Sequence, residues 1–351
     1  MNGSNSPIVF VWPGDLHLTT PDAENHKAAQ RLLDEVGTLI KPDFVQFAGD
    51  NAQHATDDQF RMFNTLRKKV ACPTHALVGD HDVHHDPKAL AYRAHVGETY
   101  GAFSLRGYRF IQLNTMEFRP LGIGRQQSLW FRYEVDAALE RGEQVVLFQH
   151  HYPYQIWEDF DGPGIDNWRE IVQTRRITAI FAGHTHYGQI ANDGRNISVA
   201  TRSIGEPEGG PAGYSVVVLN GNDFAVKYRT VEDSGPFVMI THPRDGLLAV
   251  TPKHILSGPD RVGAKIWSLE PLTGMEARID SGDWFPLENA GNGEWEGPLA
   301  VERLAKGEHT LEVRLAGTEA IADRVGFLVD RTGRYTAVPK VRPEATATAF
   351  C

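Results

Sequence analysis

Five apolar segments of this 351-residue chain each run directly into a short polar cluster that contains aspartate or histidine. The segments are Ile8 to Trp12, Phe44 to Ala48, Ala76 to Val78, Val145 to Phe148 and Ile177 to Ala182. Their short lengths and their β-branched and aromatic residues predict buried strands. Because open α/β sheets place their ligand sites at strand ends, the pattern predicts an α/β protein with its polar clusters gathered at one edge.

The polar clusters carry side chains that bind metal ions. They are Asp15-Leu16-His17, Gly49-Asp50-Asn51, Gly79-Asp80-His81-Asp82, Gln149-His150-His151 and Gly183-His184-Thr185-His186. A single cluster of this kind arises easily by chance in a chain with 45 acidic residues and 15 histidines. Five of them, each at the end of a predicted strand, favour a metal centre built from carboxylates and imidazoles.

The five clusters, in this order, resemble the calcineurin-like metallophosphoesterase superfamily. The family's pattern reads Asp-x-His, Gly-Asp, Gly-Asn-His-(Asp/Glu), His and Gly-His-x-His, and this chain departs from it at Asp80, where asparagine is usual. The resemblance implies two metal ions, drawn from Mn²⁺, Fe²⁺ or Fe³⁺, and Zn²⁺. It assigns Asp15, His17 and His186 to one ion, Asp80, His150 and His184 to the other, and Asp50 to a bridging position.

The resemblance also implies a catalytic role for His81, which would contact phosphoryl oxygens and protonate the leaving group without binding metal. We expect Asp82 to accept a hydrogen bond from the far ring nitrogen of His81, with a simple turn carboxylate as the alternative. His150 is favoured over His151 as the ligand because it directly follows the strand. The aromatic segment Tyr152 to Trp157 is expected to form either a wall of the substrate pocket or a hydrophobic lid.

The aspartate at position 80 bears on the substrate. Three carboxylates and a bridging hydroxide would balance the four positive charges of two divalent ions, whereas asparagine would leave one positive charge in excess. We therefore expect hydrolysis of phosphodiesters, of the cyclic-nucleotide or glycerophosphodiester class, by a metal-bridging hydroxide. The alternatives are a phosphomonoesterase and a metal-binding interaction scaffold without catalytic activity.

Composition bears on the binding partners and the cellular location of the protein. A net charge of −10 argues against binding of large nucleic acids, which normally requires a basic surface. With two cysteines, Cys72 and Cys351, the chain encodes no disulfide framework, and no apolar stretch reaches the ~20 residues that span a bilayer. We expect a cytoplasmic enzyme acting on a small phosphate ester, away from membranes, and a homo-oligomer is compatible with the sequence.

The predicted elements define a domain order. Helical spacing of apolar residues occurs at Ala28 to Val36, Phe60 to Val70 and Leu129 to Leu139, between the predicted strands. After residue 186 only short strands with glycine-rich turns are predicted, including Leu247 to Thr251. We expect a four-layer α/β/β/α catalytic domain over residues 1–233, an all-β sandwich resembling immunoglobulin or fibronectin modules over 234–335, and a flexible tail over 336–351.

Overall fold

The structure is a computed structural model and describes residues 6–118, 121–151 and 162–343. The described part of the chain before residue 234 forms strands β1 (Ile8–Pro13), β2 (Phe44–Phe47), β3 (Thr74–Ala76), β4 (Gly101–Leu105), β5 (Tyr108–Leu113), β6 (Gln144–Gln149), β7 (Ile177–Ala182), β8 (Gln189–Asn192), β9 (Ile197–Ala200), β10 (Gly213–Asn220) and β11 (Asp223–Thr230). The helices between them are α1 (Glu24–Glu35), α2 (Asp57–Arg67), α3 (Leu90–His95), α4 (Arg125–Glu140) and α5 (Ile165–Thr174). A π-helical turn, Val36–Ile40, continues α1.

These strands form two sheets. The first sheet has the order β11-β10-β1-β2-β3, in which β1, β2 and β3 are parallel. The second sheet contains β8-β9-β7-β6-β5-β4, in which β5, β6, β7 and β9 are parallel. Parallel strands need crossover connections, and the predicted helices of the sequence supply several of them.

The two sheets lie face to face with helices outside. Phe10 and Phe44 of the first sheet share one apolar cluster with Phe110, Phe148 and Phe181 of the second. On the other face of the first sheet α1 and α2 bury a stripe of leucine, valine and phenylalanine side chains, while α4 and α5 cover the outer face of the second sheet. The predicted α/β/β/α layering is therefore confirmed for this part of the chain.

The C-terminal part is all-β. Its strands are β12 (Phe237–His242), β13 (Asp260–Trp267), β14 (Met275–Ile279), β15 (Phe285–Gly291), β16 (Glu294–Leu299), β17 (Gly307–Leu315) and β18 (Ile321–Val329). They form one antiparallel sheet of order β12-β13-β16-β15-β14-β17-β18. The first residues of β15 pair with β14 and its later residues pair with β16, so β15 belongs to both halves of the strand order. Side chains from the first and last strands share one core between these halves. The likeness to immunoglobulin or fibronectin modules remains a prediction.

Strand β12 joins the C-terminal sheet to the α/β/β/α layers. Phe237 and Met239 pack into the core formed by the first sheet and α1, whereas Val238 and Ile240 pack into the C-terminal core. This alternation follows from the two-residue period of a strand, which points successive side chains to opposite faces. Each face of β12 is therefore buried, and the two parts of the chain share a continuous apolar contact.

Two segments differ from the sequence expectation. Leu247 to Thr251 was predicted as a strand, but Gly246–Leu248 forms a 3₁₀ turn because Asp245 caps it through the amide of Leu247. A flexible tail was expected from residue 336, yet Lys340–Pro343 forms β19, which pairs antiparallel with β8 and becomes the edge of the second sheet. This pairing joins residues about 150 positions apart, which no local pattern could reveal.

Candidate metal centre

The polar clusters converge at the carboxyl ends of parallel strands. Asp15 and His17 follow β1, Asp50 follows β2, and Asp80 comes after β3 in the first sheet. From the second sheet His150 follows β6, and His184 and His186 follow β7. Because the two sheets face each other, these strand ends meet at one edge of the sandwich, and the structure brings all seven predicted ligands together.

Backbone conformation aims these side chains inward. His17, Asp50, His184 and His186 all adopt positive φ angles, between 46° and 65°, which non-glycine residues rarely take. Gly49, with a φ of 103°, approaches His150 so closely that an added Cβ would lie 2.5 Å from its Nδ1. A Cβ on Gly79 would overlap Asp50. Strain of this kind is typical of functional sites, where the surrounding structure holds it in place.

Histidines 17 and 186 form the first half of the centre. His17 Nδ1 lies 2.8 Å from Gln53 Oε1, and His186 Nδ1 lies 2.6 Å from Glu208 Oε2. These acceptors place the proton on Nδ1 of each ring, which leaves the two Nε2 lone pairs facing each other across 3.1 Å. Two facing lone pairs repel unless a cation lies between them, so this pair fits a metal ion.

Asp80, His150 and His184 form the second half. His150 is fully buried, and its Nδ1 donates to the carbonyl of Ala48 at 2.8 Å. Its Nε2 then points to Asp80 Oδ1 at 3.2 Å and to Asp50 Oδ2 at 3.4 Å. His184 Nδ1 lies 3.1 Å from the same oxygen of Asp80. Asp50 Oδ2 is also 3.7 Å from His17 Nε2, so its carboxylate lies between the two halves.

The electrostatics of the centre also fit cations. Burial alone would lower the pKa of His150, but the carboxylates of Asp50, Asp80 and Asp15 raise it well above the ordinary value. Burial likewise opposes ionisation of Asp50, and the charges and bonds of neighbouring histidines still lower the pKa of Asp50. Oxygen Oδ2 of the buried Asp15 has no hydrogen-bond partner among the described residues. A bound metal ion would complete its coordination and replace the protons on the imidazoles.

His81 lies at the rim of the centre. Its ring packs edge-on against His17 with 4.6 Å between ring centroids, and its Nε2 is 4.0 Å from Asp80 Oδ2. The backbone amide of His81 donates to Asp50 Oδ1 at 2.9 Å, which fixes the residue beside the proposed bridging carboxylate. Burial lowers the pKa of His81, but the charge of Asp50, the hydrogen bond to the Gln53 carbonyl and the charge of Asp80 outweigh it, so the pKa is raised.

The role predicted for Asp82 is corrected by the structure. Nδ1 of His81 lies 3.0 Å from the backbone carbonyl of Gln53, so that carbonyl and not Asp82 orients the ring. The fully buried carboxylate of Asp82 accepts hydrogen bonds from Asn51 Nδ2 and from the amides of Ala52 and Gly79. Burial and the charge of Asp50 raise the pKa of Asp82 to about 7. Asp82 therefore links the second and third clusters, and it does not orient the ring of His81.

His151 is the alternative ligand that the sequence left open. Its Nδ1 lies 2.6 Å from Thr115 Oγ1, and its ring centroid is 4.4 Å from that of His184. One nitrogen of His151 is within 4.8 Å of the ligand atoms of Asp80, His150 and His184, so His151 lies beside the second ion site. The aromatic segment Tyr152 to Trp157 lies outside the described residues.

Three residues at the centre were not found from the sequence. Gln53 orients His17 through its side chain and His81 through its carbonyl. Glu208 orients His186, and Glu206 lies 3.8 Å from the same ring nitrogen. Glu206 also falls within a group of ligand atoms that includes His17 and His186. The segment Gly205-Glu-Pro-Glu-Gly, an acidic turn after β9, was the available signal.

Comparison with known proteins is consistent with this geometry. The family model described as calcineurin-like phosphoesterase matches residues 8–188, just over half of the chain. The chain belongs to the calcineurin-like phosphoesterase family. Among curated proteins it is similar to a probable glycerophosphodiester phosphodiesterase GpdQ of Arcobacter nitrofigilis, with 23% identity over 204 residues that cover 51% of this chain and 72% of the relative.

Solved structures share the fold at low sequence identity. A dimetal phosphatase from Danio rerio aligns with a TM-score of 0.53 and 12% identity over 64% of this chain and 97% of its own. Purple acid phosphatase PPD1 from yellow lupin seeds aligns with a TM-score of 0.51 and 12% identity over 65% of this chain and 52% of its own. GAP50, the anchor in the inner membrane complex of Plasmodium, gives a TM-score of 0.50 at 11% identity, over 65% and 85% of the two chains.

Proposed function

We propose that this chain is a two-metal phosphodiesterase that acts on small phosphodiesters of the glycerophosphodiester or cyclic-nucleotide class. The observation that carries the proposal is the third carboxylate, Asp80, which shares an oxygen between His150 and His184 at 3.2 and 3.1 Å. The curated relative is named as a probable phosphodiesterase, which supports the same class of substrate. The native metal ions are proposed to be drawn from manganese, iron and zinc.

The metal ligands, Asp50 and His81 have different roles in the proposed reaction. Two divalent ions held by the seven ligands would lower the pKa of a water molecule and neutralise charge on the phosphoryl oxygens. Asp50 holds both halves of the centre in register, since its carboxylate faces His17 and His150. The partly exposed ring of His81 has its Nδ1 held by a carbonyl, so its Nε2 is positioned to give a proton to the departing alkoxide.

The net charge of the metal centre determines whether a phosphodiester or a phosphomonoester binds better. Asp80 ionises readily: burial opposes its ionisation, but hydrogen bonds from His150 and His184 lower the pKa of Asp80 far below the ordinary value. A third negative ligand makes the centre less attractive to a phosphomonoester dianion than to a singly charged diester. In Asp80→Asn the site would regain one positive charge and should bind dianions better.

The test is the ratio of kcat/KM for a diester to that for its matching monoester. We expect the wild-type enzyme, with its two metals verified by elemental analysis, to favour bis(p-nitrophenyl) phosphate over p-nitrophenyl phosphate. Asp80→Asn should shift the ratio toward the monoester by about tenfold or more, equivalent to ~1.4 kcal/mol. Asp58→Asn, which removes a surface carboxylate paired with Arg61, is the control for net charge. A wild-type preference for the monoester would contradict the proposal.

The second candidate is a metal-binding scaffold without catalytic activity. It is favoured by the fold shared with GAP50, which is described as an anchor. His81 beside a full ligand set argues for catalysis, because a scaffold has no need of a proton donor. A protein that holds two metal equivalents and turns over neither diester nor monoester would support the scaffold.

A further inference from the structure

A cavity of about 300 Å³ lies where the start of β6, the start of β7 and the segment after β12 meet. Four arginines, Arg175, Arg176, Arg195 and Arg244, are among its twelve lining residues, and no aspartate or glutamate is. This concentration of positive charge is unusual in a chain whose net charge is −10. A cavity lined by one sign of charge focuses the electrostatic field and attracts ions of the opposite sign.

Three of the four guanidinium groups have no carboxylate within 4 Å among the described residues. Arg175 pairs with Asp136 and Glu170, so its charge is balanced. Arg176 and Arg195 are exposed at the cavity mouth and form no ion pair in that part of the chain. Asp193, next to Arg195, is already used by the amides of Arg195 and Asn196.

Arg244 is the innermost of these charges. It is only 5% exposed, and its guanidinium donates to the carbonyls of Leu248 and Asn222 and contacts His254. Its Nε has no hydrogen-bond partner among the described residues. Burial lowers the pKa of Arg244 to about 10 although the charge of Asp223, which lies beyond ion-pair distance, opposes the shift. Burial of an arginine without a directly paired carboxylate is costly, because the charge loses its hydration. A buried cation of this kind favours an anion nearby.

The cavity also offers hydrogen-bond donors. The hydroxyl of Thr251 is shielded from solvent and has no partner among the described residues. Burial is the main reason that the pKa of His254 falls to about 3, and the positive charges of Arg244 and Arg176 add to the effect. Planar guanidinium groups bind phosphate oxygens in pairs and retain their charge at any physiological pH.

The cavity is separate from the metal centre. It lies at the first residues of β6 and β7, Gln144 and Ile177, whereas His150 and His184 follow the last residues of the same strands. At about 3.3 Å per residue, the two sites are roughly 20 Å apart along the sheet. A volume of about 300 Å³ is at the lower limit for small-molecule sites and suits a compact ligand.

We propose that this arginine cavity binds a phosphate-class dianion, either inorganic phosphate or a small phosphate monoester, at a second site outside the metal centre. Arg176, Arg195 and Arg244 would supply the charge, and Thr251 a neutral donor. The proposal does not depend on the reaction at the metal centre. It would hold equally for a phosphodiesterase or for a scaffold.

The test is isothermal titration of the full-length, metal-loaded protein with inorganic phosphate and, separately, with glycerol 3-phosphate, at constant ionic strength in chloride. We expect two binding events, one at the metal centre and one at the cavity. Arg176→Glu and Arg195→Glu, at exposed positions that folding tolerates, should each weaken the second event by at least about tenfold. Arg303→Glu, an exposed arginine away from the cavity, makes the same charge change and should leave both events intact.

Inhibition of diester hydrolysis by phosphate reports the metal centre independently. Its inhibition constant should be unchanged in the cavity variants, because their substitutions lie about 20 Å from the metals by the strand-length estimate above. A stronger second event with glycerol 3-phosphate than with inorganic phosphate would identify a monoester as the ligand, and the reverse would identify the free ion. A single phosphate event that Arg176→Glu and Arg195→Glu leave unaltered would overturn the proposal.

Discussion

Individual imidazoles of the centre depend on neighbours that do not bind metal. Gln53 Oε1 is the acceptor for His17 Nδ1, and without it the ring could rotate or take the other tautomer. Gln53→Ala should therefore weaken binding of one metal ion by roughly 10- to 100-fold, the usual effect of losing such a partner. Competition with a metal chelator measures the affinity. Gln126→Ala, on the exposed surface of α4, is the control, and equal affinities in the two variants would show that Gln53 has no orienting role.

His81 provides a prediction of a different kind. His81→Ala should keep two metal equivalents, because seven other side chains are the proposed ligands, while kcat falls by roughly 10² to 10⁴. The loss should be smaller for substrates with good leaving groups, which need little protonation. Elemental analysis and kcat for a series of aryl diesters check both parts. A loss that is independent of the leaving group would restrict His81 to phosphate binding.

The residue scale also shows what a sequence can reveal about such a site. The five clusters are expected to meet because each follows an apolar strand and strand ends lie at one edge of a sheet, and the family resemblance assigns the seven ligands within them. Gln53 and Glu208 were not predicted, since their contacts depend on how two loops fold against each other. The contact expected between Asp82 and His81 is absent for a local reason. Both residues lie in the 3₁₀ turn His81–Val83, which directs adjacent side chains apart.

Among the elements, the turn between β3 and His81 is closely packed against the metal centre. Gly79 lies so close to Asp50 that an added methyl group would overlap both its carboxylate and its amide. Gly79→Ala should displace Asp50, lower the free energy of unfolding by about 1–3 kcal/mol and reduce metal content. Denaturant unfolding and elemental analysis provide the measurements. Gly101→Ala in β4, where nothing lies within 4 Å of the added Cβ, should be nearly neutral. Full metal content in Gly79→Ala would mean that the turn can relax.

Elements differed in how well local pattern predicted them. Strands β1, β2, β6 and β7 were predicted near their observed positions because each is a short, continuous apolar run, and helices α1, α2 and α4 because their apolar residues have helical spacing. Helix α5 was missed although Ile165, Trp168, Ile171 and Val172 have helical spacing and are buried. Leu247 to Thr251 looked like a strand because it is apolar and short, and a capping aspartate decided otherwise.

At the scale of the whole molecule, two histidines outside the centre make stability depend on pH. Burial and the charge of Arg67 lower the pKa of His75 to about 4, and the pKa of His254 is lowered to about 3. Both values lie below the value of about 6.5 for an unfolded chain. The unfolded state therefore binds protons first as the pH falls. The contribution of these two histidines to stability is complete above about pH 6.5 and is lost as the pH falls to about 4 for His75 and to about 3 for His254.

His254→Asn tests this dependence. Asparagine can accept the hydrogen bonds that Val250 N and Arg244 give to His254 Nδ1, and it does not titrate. The fall in unfolding free energy between pH 7 and 4.5 should be smaller in the variant by on the order of 1–2 kcal/mol, after allowance for solvent screening. Urea unfolding at several pH values measures it. Parallel curves for variant and wild type would exclude His254 as a source.

The shared apolar contact predicts the result of removing the C-terminal part. A chain ending at Val231 loses Phe237, Met239 and Trp267 from the core under α1, and it loses β19 from the edge of β8. The candidate ligands all precede residue 187, so metal binding should persist in whatever folds. Exposed apolar surface and a free strand edge should cause aggregation. A chain ending at Pro343 keeps these contacts and serves as the control in size-exclusion chromatography with metal analysis. A monomeric Val231 variant with unchanged Tm would show that the contact contributes little.

No helix among the described residues is long and apolar enough to cross a membrane.

The one described cysteine is Cys72, a partly buried thiol without a disulfide. Burial raises the pKa of Cys72, which makes the thiol less reactive. Oxidation of this residue is therefore a poor candidate for control of the molecule.

The pairing of β19 with β8 has a mechanical consequence. The chain leaves the α/β/β/α layers after β11, forms the C-terminal sheet and returns to these layers at β19, so the C-terminal sheet is attached at two separate places. A body attached at one point can swing in any direction, whereas one attached at two can turn only about the line that joins them. The C-terminal sheet is therefore unsuited to swing as a lid over the metal centre.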